Sequence, residues 1–372
     1  MNKNDDNNKY NPTQVSTDHI QTPTNETYPC QFGSECMPYY QCAKGTIITD
    51  GEGVLDIRFG QEENIDPQRH PCPGLFNTCC SLRAETPNIP KIPVNVGCGI
   101  RNINGVGFTI SGAMDGEAQF GEFPWTIAIT EESRIYNDQV IKVYICGGSL
   151  IEPGVVLTAA HCVHKISPKF LRVRAGEWDT QTRNEIFQHQ DRTVADYVIH
   201  PDFNSQNMHN DVALLFLTQP FELAPHINTI CLPNSGDVFD HARCFASGWG
   251  KDLFGKDGKY QVILKRVEVP IVPHYPCQQK LRQTKVGTYF RLNRTFVCAG
   301  GEGHGDTCKG DGGSPLACPV SNGRFVQTGI VSWGIGCNNT TPGVYVNVAK
   351  FRQWIDEQLV MNNFDTNSYL LQ

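Results

Sequence analysis

From about residue 108 the chain breaks into short apolar runs separated by turn residues. The runs at 126–130, 143–146, 148–151 and 155–157 have the length and β-branched content of strands. Residues 212–217 (Val-Ala-Leu-Leu-Phe-Leu) are continuously apolar, which predicts a strand buried on both faces. A second set follows at 243–248, 262–269, 296–299, 316–318, 327–332 and 343–347. Two groups of about six short strands predict an all-β protein built from two packed antiparallel barrels. One helix stands out, over 348–362: Phe351, Ile355 and Leu359 recur every four residues, with Trp354 beside them.

Upstream the pattern changes. Residues 1–29 are rich in Asn, Thr, Asp and Gln with almost no apolar residues, and read as a flexible tail. Residues 30–80 hold six cysteines in a stretch too short to build a sufficient core, so disulfides must hold it. Six cysteines allow many connectivities, and spacing alone does not choose. Residues 81–107, with Pro87, Pro90 and Pro93, read as a linker. The barrels then occupy 108–362, and 363–372 forms a C-terminal tail.

Composition narrows the setting. The chain has 16 cysteines, an even number, and no Cys-x-x-Cys, which favours disulfides over zinc and an oxidising, extracellular compartment. No apolar run approaches the ~18 residues of a membrane span. Met1 opens a polar stretch, so no signal peptide is visible. A net charge of −7 with no evident Lys/Arg cluster argues against nucleic acid or an anionic membrane as partner.

Three motifs carry chemistry. Thr158-Ala159-Ala160-His161-Cys162 offers a base. Asn210-Asp211-Val212-Ala213-Leu214 offers a carboxylate to orient it. Cys308-Lys309-Gly310-Asp311-Gly312-Gly313-Ser314-Pro315 occupies the place of a nucleophile loop. Acyl transfer needs a hydroxyl, a base to take its proton and a carboxylate behind the base. In this order the motifs resemble those of the chymotrypsin-like serine proteases, whose loop reads Gly-Asp-Ser-Gly-Gly-Pro. The resemblance implies the double six-stranded β-barrel of that family with a C-terminal helix. It makes His161 and Asp211 relics, because Gly312, which has no hydroxyl, replaces the attacking Ser. Ser314 lies two residues further on, about 6–7 Å of extended chain, too far to substitute. Active members are also cut after Arg or Lys, before an Ile whose new amino group pairs with the Asp ahead of the nucleophile. Here Thr109 precedes Ile110.

The same resemblance implies disulfides Cys98–Cys231, Cys146–Cys162, Cys244–Cys318, Cys277–Cys298 and Cys308–Cys337. It places a specificity-pocket carboxylate at Asp306, with walls from Ser332, Trp333, Gly334 and Gly343; a relic is the plain rival to a pocket that still binds basic side chains. It suggests calcium on Glu177, Asp179, Thr182 and Glu185, against which a solvated acidic loop weighs equally. Sequons stand at Asn25, Asn293, Asn338 and Asn339.

The 30–80 pattern, ending in adjacent Cys79-Cys80, resembles the clip domain of arthropod proteases and implies Cys30–Cys79, Cys36–Cys72 and Cys42–Cys80. Taken together, the chain resembles the clip-domain serine protease homologues, among them the non-catalytic prophenoloxidase-activating factors of insects. That implies a glycosylated cofactor secreted into haemolymph, processed like a zymogen, and acting in the melanisation cascade of innate immunity. Its partners would be prophenoloxidase, clip-domain proteases and, after cleavage, further copies of itself. Arg58 is the first candidate for the activating cut, with Arg69 and Arg101 as alternatives. Rival functions are microbe recognition, a decoy acting through Asp306, and a weak protease.

Overall fold

The computed structural model describes residues 34–38, 42–43, 46–47, 54–56, 77–81, 97–107, 109–111, 116–134, 140–181, 187–250, 260–303, 311–336 and 340–371. In the cysteine-rich region lie β1 (Ser34–Pro38), β2 (Cys42–Ala43), β3 (Thr46–Ile47), β4 (Val54–Asp56) and β5 (Asn77–Ser81). Four of them form a sheet in the order β1-β5-β3-β2. β4 leaves that sheet and pairs in parallel with β6 (Thr109–Ser111), Leu55 opposite Ile110. The clip pairings and Cys308–Cys337 fall on side chains outside the described ones.

β7 (Thr126–Arg134), β8 (Val140–Glu152), β9 (Val155–Thr158), β10 (Leu171–Ala175), β11 (Gln190–Ile199) and β12 (Ala213–Leu217) close a six-stranded antiparallel barrel. β13 (Arg243–Gly248), β14 (Lys265–Val272), β15 (Phe296–Ala299), β16 (Pro315–Pro319), β17 (Phe325–Trp333) and β18 (Gly343–Asn347) close a second. The expected double barrel is therefore the fold. As its run of apolar residues predicts, β12 is buried along its whole length. The 143–146 and 148–151 runs prove to be parts of one strand, β8, which a bulge opposite Ile129/Thr130 bends around the barrel.

Helices are few. α1 (Ala160–Val163) is a single turn after β9, and α2 (His274–Arg282) bridges β14 and β15. The expected C-terminal helix begins as a 3₁₀ turn, Val348–Phe351, and continues as α3 (Arg352–Met361), burying Ile355 and Leu359. After it the chain returns across the first barrel. Tyr369 is wholly buried, donates to Asp356 at 2.7 Å and packs beneath the Arg352 guanidinium. Burial first, and the Asp356 carboxylate with it, push the Tyr369 hydroxyl well above the usual phenol range.

Disulfides join Cys98 to Cys231, Cys146 to Cys162, Cys244 to Cys318 and Cys277 to Cys298. Cys98–Cys231 fixes the start of the barrel region beside Val326 of β17, with a loop of 133 residues between its ends. A bond closing so long a loop removes much freedom from the unfolded chain, about 4–5 kcal/mol in the entropic account.

Candidate functional site

The site lies where the two barrels meet, and each strand end delivers one group. β9 ends at Thr158, and α1 turns the next residues so that His161 faces the cleft. Asp211 precedes β12 and is fully buried. Its carboxylate accepts three hydrogen bonds. Oδ1 takes the His161 backbone N–H at 2.8 Å; Oδ2 faces His161 Nδ1 at 2.7 Å and takes the Ser332 hydroxyl at 2.6 Å. The imidazole is thereby held at both its root and its ring. The Cys146–Cys162 disulfide braces the same turn against β8.

Gly312 faces that imidazole. A Cβ built on Gly312 would lie 2.7 Å from His161 Nε2 and 3.2 Å from Cε1. Position 312 therefore points at the base, as a nucleophile would, but the ring has taken the room its side chain would need. The backbone there is fixed: Gly147 N donates to Gly312 O at 2.9 Å, and Gly313 N to Val331 O at 2.8 Å. Gly313 has φ +80°, and a Cβ on it would strike Thr158 Oγ1 and Gly147 O, so this position requires glycine. Ser314 is buried, with Oγ packed where Cβ atoms on Gly147 or Gly248 would stand. Its hydroxyl is wedged between β8 of the first barrel and β13 of the second.

Behind the loop, Asp311 Oδ1 accepts from Gly250 N at 2.9 Å. Burial first, then the charge of Asp311, raise the nearby Tyr144 hydroxyl well above its usual range. Ile110 is tied elsewhere. Its N–H donates to Gln119 Oε1 at 2.6 Å, and Gln119 Nε2 donates back to Ile110 O at 2.9 Å. The side-chain amide acts like one residue of a neighbouring strand, holding Ile110 as an interior residue of a continuous chain. Nothing in the local sequence announces this clamp, because nine residues and a turn separate its partners.

Glu122 anchors the same corner. It is fully buried and accepts from Gln119 N at 2.8 Å, from Arg266 Nη1 at 2.6 Å and from Arg101 Nε at 2.9 Å, with a further short bond from Arg101 Nη2. The Arg101 guanidinium also sits 4.0 Å over the Phe245 ring. This corrects one expectation. With 9% of its side chain exposed, Arg101 cannot enter a protease pocket without unfolding, so it is no cleavage site in the folded chain. Arg58 and Arg69 lie outside the described residues.

Of the pocket walls, Ser332 and Trp333 end β17 and Gly343 opens β18. Trp333 is held edge-on by Phe290 and Phe296, and a Cβ on Gly334 would make only an ordinary contact, 3.7 Å from Gly336 O. Asp306 lies outside the described residues.

The calcium set divides. Thr182 and Glu185 lie outside the described residues. Glu177 is nearly buried: Oε1 accepts from Trp178 N at 3.0 Å, while Oε2 accepts from Arg174 Nη1 at 2.8 Å and faces His189 Nδ1 at 3.4 Å. Arg174 also grips Asp191, at 2.6 and 3.0 Å. Burial alone would raise the Asp191 carboxyl, but hydrogen bonds and charge from Arg174, then Lys142, outweigh it and hold it well below the usual range. Asp179 accepts from Gln181 N at 2.9 Å. Of the two described carboxylates of the set, Glu177 is thus engaged by a guanidinium already in place. The other close group among the described residues with metal-ligand chemistry, Cys146, His161 and Cys162, has both sulfurs in a disulfide. At the Asn293 sequon, Oδ1 accepts from Thr295 N and Oγ1 while Nδ2 meets His209 Nδ1 at 3.2 Å. Asn25, Asn338 and Asn339 lie outside the described residues.

A family model described as Trypsin matches residues 115–355, and one described as Serine protease Clip domain PPAF-2 matches residues 23–81. Phenoloxidase-activating factor 2 of Galleria mellonella is 54% identical over 298 residues, spanning 77% of this chain and 97% of that protein. Inactive CLIP domain-containing serine protease A8 of Anopheles gambiae is 39% identical over 336 residues, 87% of this chain and 88% of its own. A second Anopheles gambiae protein, Inactive CLIP domain-containing serine protease A28, is 35% identical over 347 residues, 88% and 89%.

Proposed function

This chain belongs to the clip-domain branch of the trypsin-like serine proteases, and we propose that it is a non-catalytic member acting as a protein cofactor in prophenoloxidase activation. The observation that carries this is the meeting of Gly312 with His161. Position 312 addresses the base, has no hydroxyl, and has no space for one while His161 holds its place. Loss of the nucleophile in such a triad costs about a millionfold in turnover, roughly 8 kcal/mol of barrier. The Ile110–Gln119 clamp supports the same reading, since it holds uncut the segment that active members free. Relatives named as inactive CLIP proteases and as a phenoloxidase-activating factor support a place in that cascade.

In this reading the protein is extracellular, in haemolymph. An upstream clip protease cuts it after Arg58, disulfides hold the pieces together, and the processed protein assists a separate protease through contacts. The test adds the protein, intact or pre-cut, to prophenoloxidase and its activating protease and measures phenoloxidase activity. The expected result is a rise that needs the cut form and is lost in Arg58→Gln. Phenoloxidase activity independent of this protein refutes the cofactor role; unchanged processing of Arg58→Gln moves the cut elsewhere.

A further inference from the structure

The stretch 269–301 contains no Asp or Glu, yet carries Lys280, Arg282, Lys285, Arg291 and Arg294 in a chain of net charge −7. It forms α2 and the loop returning to β15. Leu281, Leu292 and Phe296 are buried beneath it, and the Cys277–Cys298 disulfide staples helix to strand. The loop is closely bonded: Gly287 N donates to Thr284 O, Phe290 N to Gly287 O, and Leu292 N to Gln278 Oε1 at 3.0 Å. On its outer side Lys280, Lys285, Arg291 and Arg294 are exposed. Two tyrosines stand among them, Tyr275 at 67% and Tyr289 at 94% exposure.

These cations differ from most others described. Arg172, Arg174, Arg243, Lys265, Arg266 and Arg352 each pair with a carboxylate. Among the described residues none of the five in 269–301 does; Arg282 donates to Phe290 O and Lys280 to Gly301 O. Repelling charges fixed on a firm platform beside solvent-facing aromatic rings suit an acidic partner, since Arg and Tyr are enriched where proteins meet.

The chain itself holds a complement. Residues 50–66 carry Asp50, Glu52, Asp56, Glu62, Glu63 and Asp66 against one cation, Arg58, with Val54, Leu55, Ile57 and Phe59 between them. Within its own chain, 54–56 lies on β6 rather than on α2. We propose that the α2 platform docks the acidic 50–66 segment of a second copy of this chain. Carboxylates would meet the cations and the apolar side chains would meet the tyrosines. This docking would place the contact for the self-association that the cofactor reading implies, and sedimentation reads it without a phenoloxidase assay, so either can fail alone.

The test is sedimentation velocity on the full chain, intact and cut, at low and high salt. Two charge-reversed variants accompany it: Lys285→Glu/Arg291→Glu/Arg294→Glu and Glu62→Lys/Glu63→Lys/Asp66→Lys. The platform positions are exposed, and unchanged circular dichroism checks the fold. Expected are association at low salt that high salt reverses, weakening by more than about a hundredfold in either variant alone, and restored association when the two variants are mixed. A native chain monomeric in both forms at low salt overturns the proposal. So does association indifferent to the platform reversal, or a mixture that stays apart. Heparin or anionic-vesicle binding that is lost in the platform variant, with self-association unaltered, reassigns the surface to glycan or lipid and equally overturns it.

Discussion

Replacing Gly312 with Ser returns the missing hydroxyl, and the expected gain in turnover is small. If the hydroxyl were all that is absent, Gly312→Ser would recover about a millionfold. The geometry sets a lower ceiling. The new Cβ would meet His161 Nε2 at 2.7 Å where ordinary contacts begin at 3.4 Å, so the ring must retreat. It is held by two hydrogen bonds to Asp211, which is itself held by Ser332. A displacement of about 1 Å costs on the order of 10²-fold. The Ile110 nitrogen, meanwhile, is an amide bonded to Gln119 rather than a free amino group able to shape the oxyanion site, and loss of one such donor costs about 10²–10³. Multiplied, these leave a gain of roughly 10–10² out of 10⁶. Fluorophosphonate labelling and hydrolysis of an arginyl peptide substrate measure it. Rapid stoichiometric labelling of Gly312→Ser, or a kcat/KM rise above about 10⁴, would refute the two-lesion reasoning. Adding Thr109→Arg and cutting there should raise turnover only in the doubly altered chain.

Glu122→Gln leaves the Arg101 and Arg266 guanidiniums without their shared buried counter-charge, a loss of about 3–5 kcal/mol. At about 2–4 °C per kcal/mol for a domain of this size, Tm should fall by roughly 6–20 °C, with trypsin then cutting at Arg101; a shift under about 3 °C would show that the cluster is dispensable. His226 packs against both Phe120 and Phe187, its Nδ1 buried without a partner, and burial lowers its pKa below 6.5. The unfolded chain takes up that proton near 6.5 while the folded chain resists it. Stability is therefore whole above pH ~6.5 and is lost as pH falls from there through the folded pKa, and His226→Phe should flatten the decline in Tm between about pH 7 and 5. An unchanged slope would assign the decline to other groups, such as His200, which burial also lowers.

Sequence pattern exposed the strands that bury both faces and hid those that bury one. β12 announces itself as five apolar residues. β10 alternates Leu171, Val173 and Ala175 inward with Arg172 and Arg174 outward, and β11 opens on four polar residues and fully buries only Val194, so neither forms a long apolar run. α2 buries just Cys277 and Leu281 and carries Pro276 in its first turn, which gives little helical periodicity. Its basic character is hard to read for a related reason: five cations spread through 280–294 make no run. The motif residues His161, Asp211 and Ser332 were legible as types and come together in the fold. The room left at Gly312, the Gln119 clamp and the burial of Arg101 were not legible, because each is set by residues distant in the chain.

The pattern of loss and retention around His161 has a physical explanation that requires no surviving catalysis. Asp211 is wholly buried, and a buried carboxylate must keep its hydrogen bonds or cost the fold several kcal/mol. Three donors meet it: the His161 backbone, the His161 ring and Ser332. Changing His161 or Ser332 strips a bond from that charge, and changing Asp211 strips one from each of them. The backbone of Gly312 is likewise committed, through its carbonyl to Gly147, but no bond in the interior depends on a side chain at position 312. A hydroxyl at position 312 is thus the member of such a triad that the core can lack and stay satisfied. His161 and Asp211 are therefore expected to matter for stability whether or not either acts on a substrate, and their presence alone is poor evidence of a working protease.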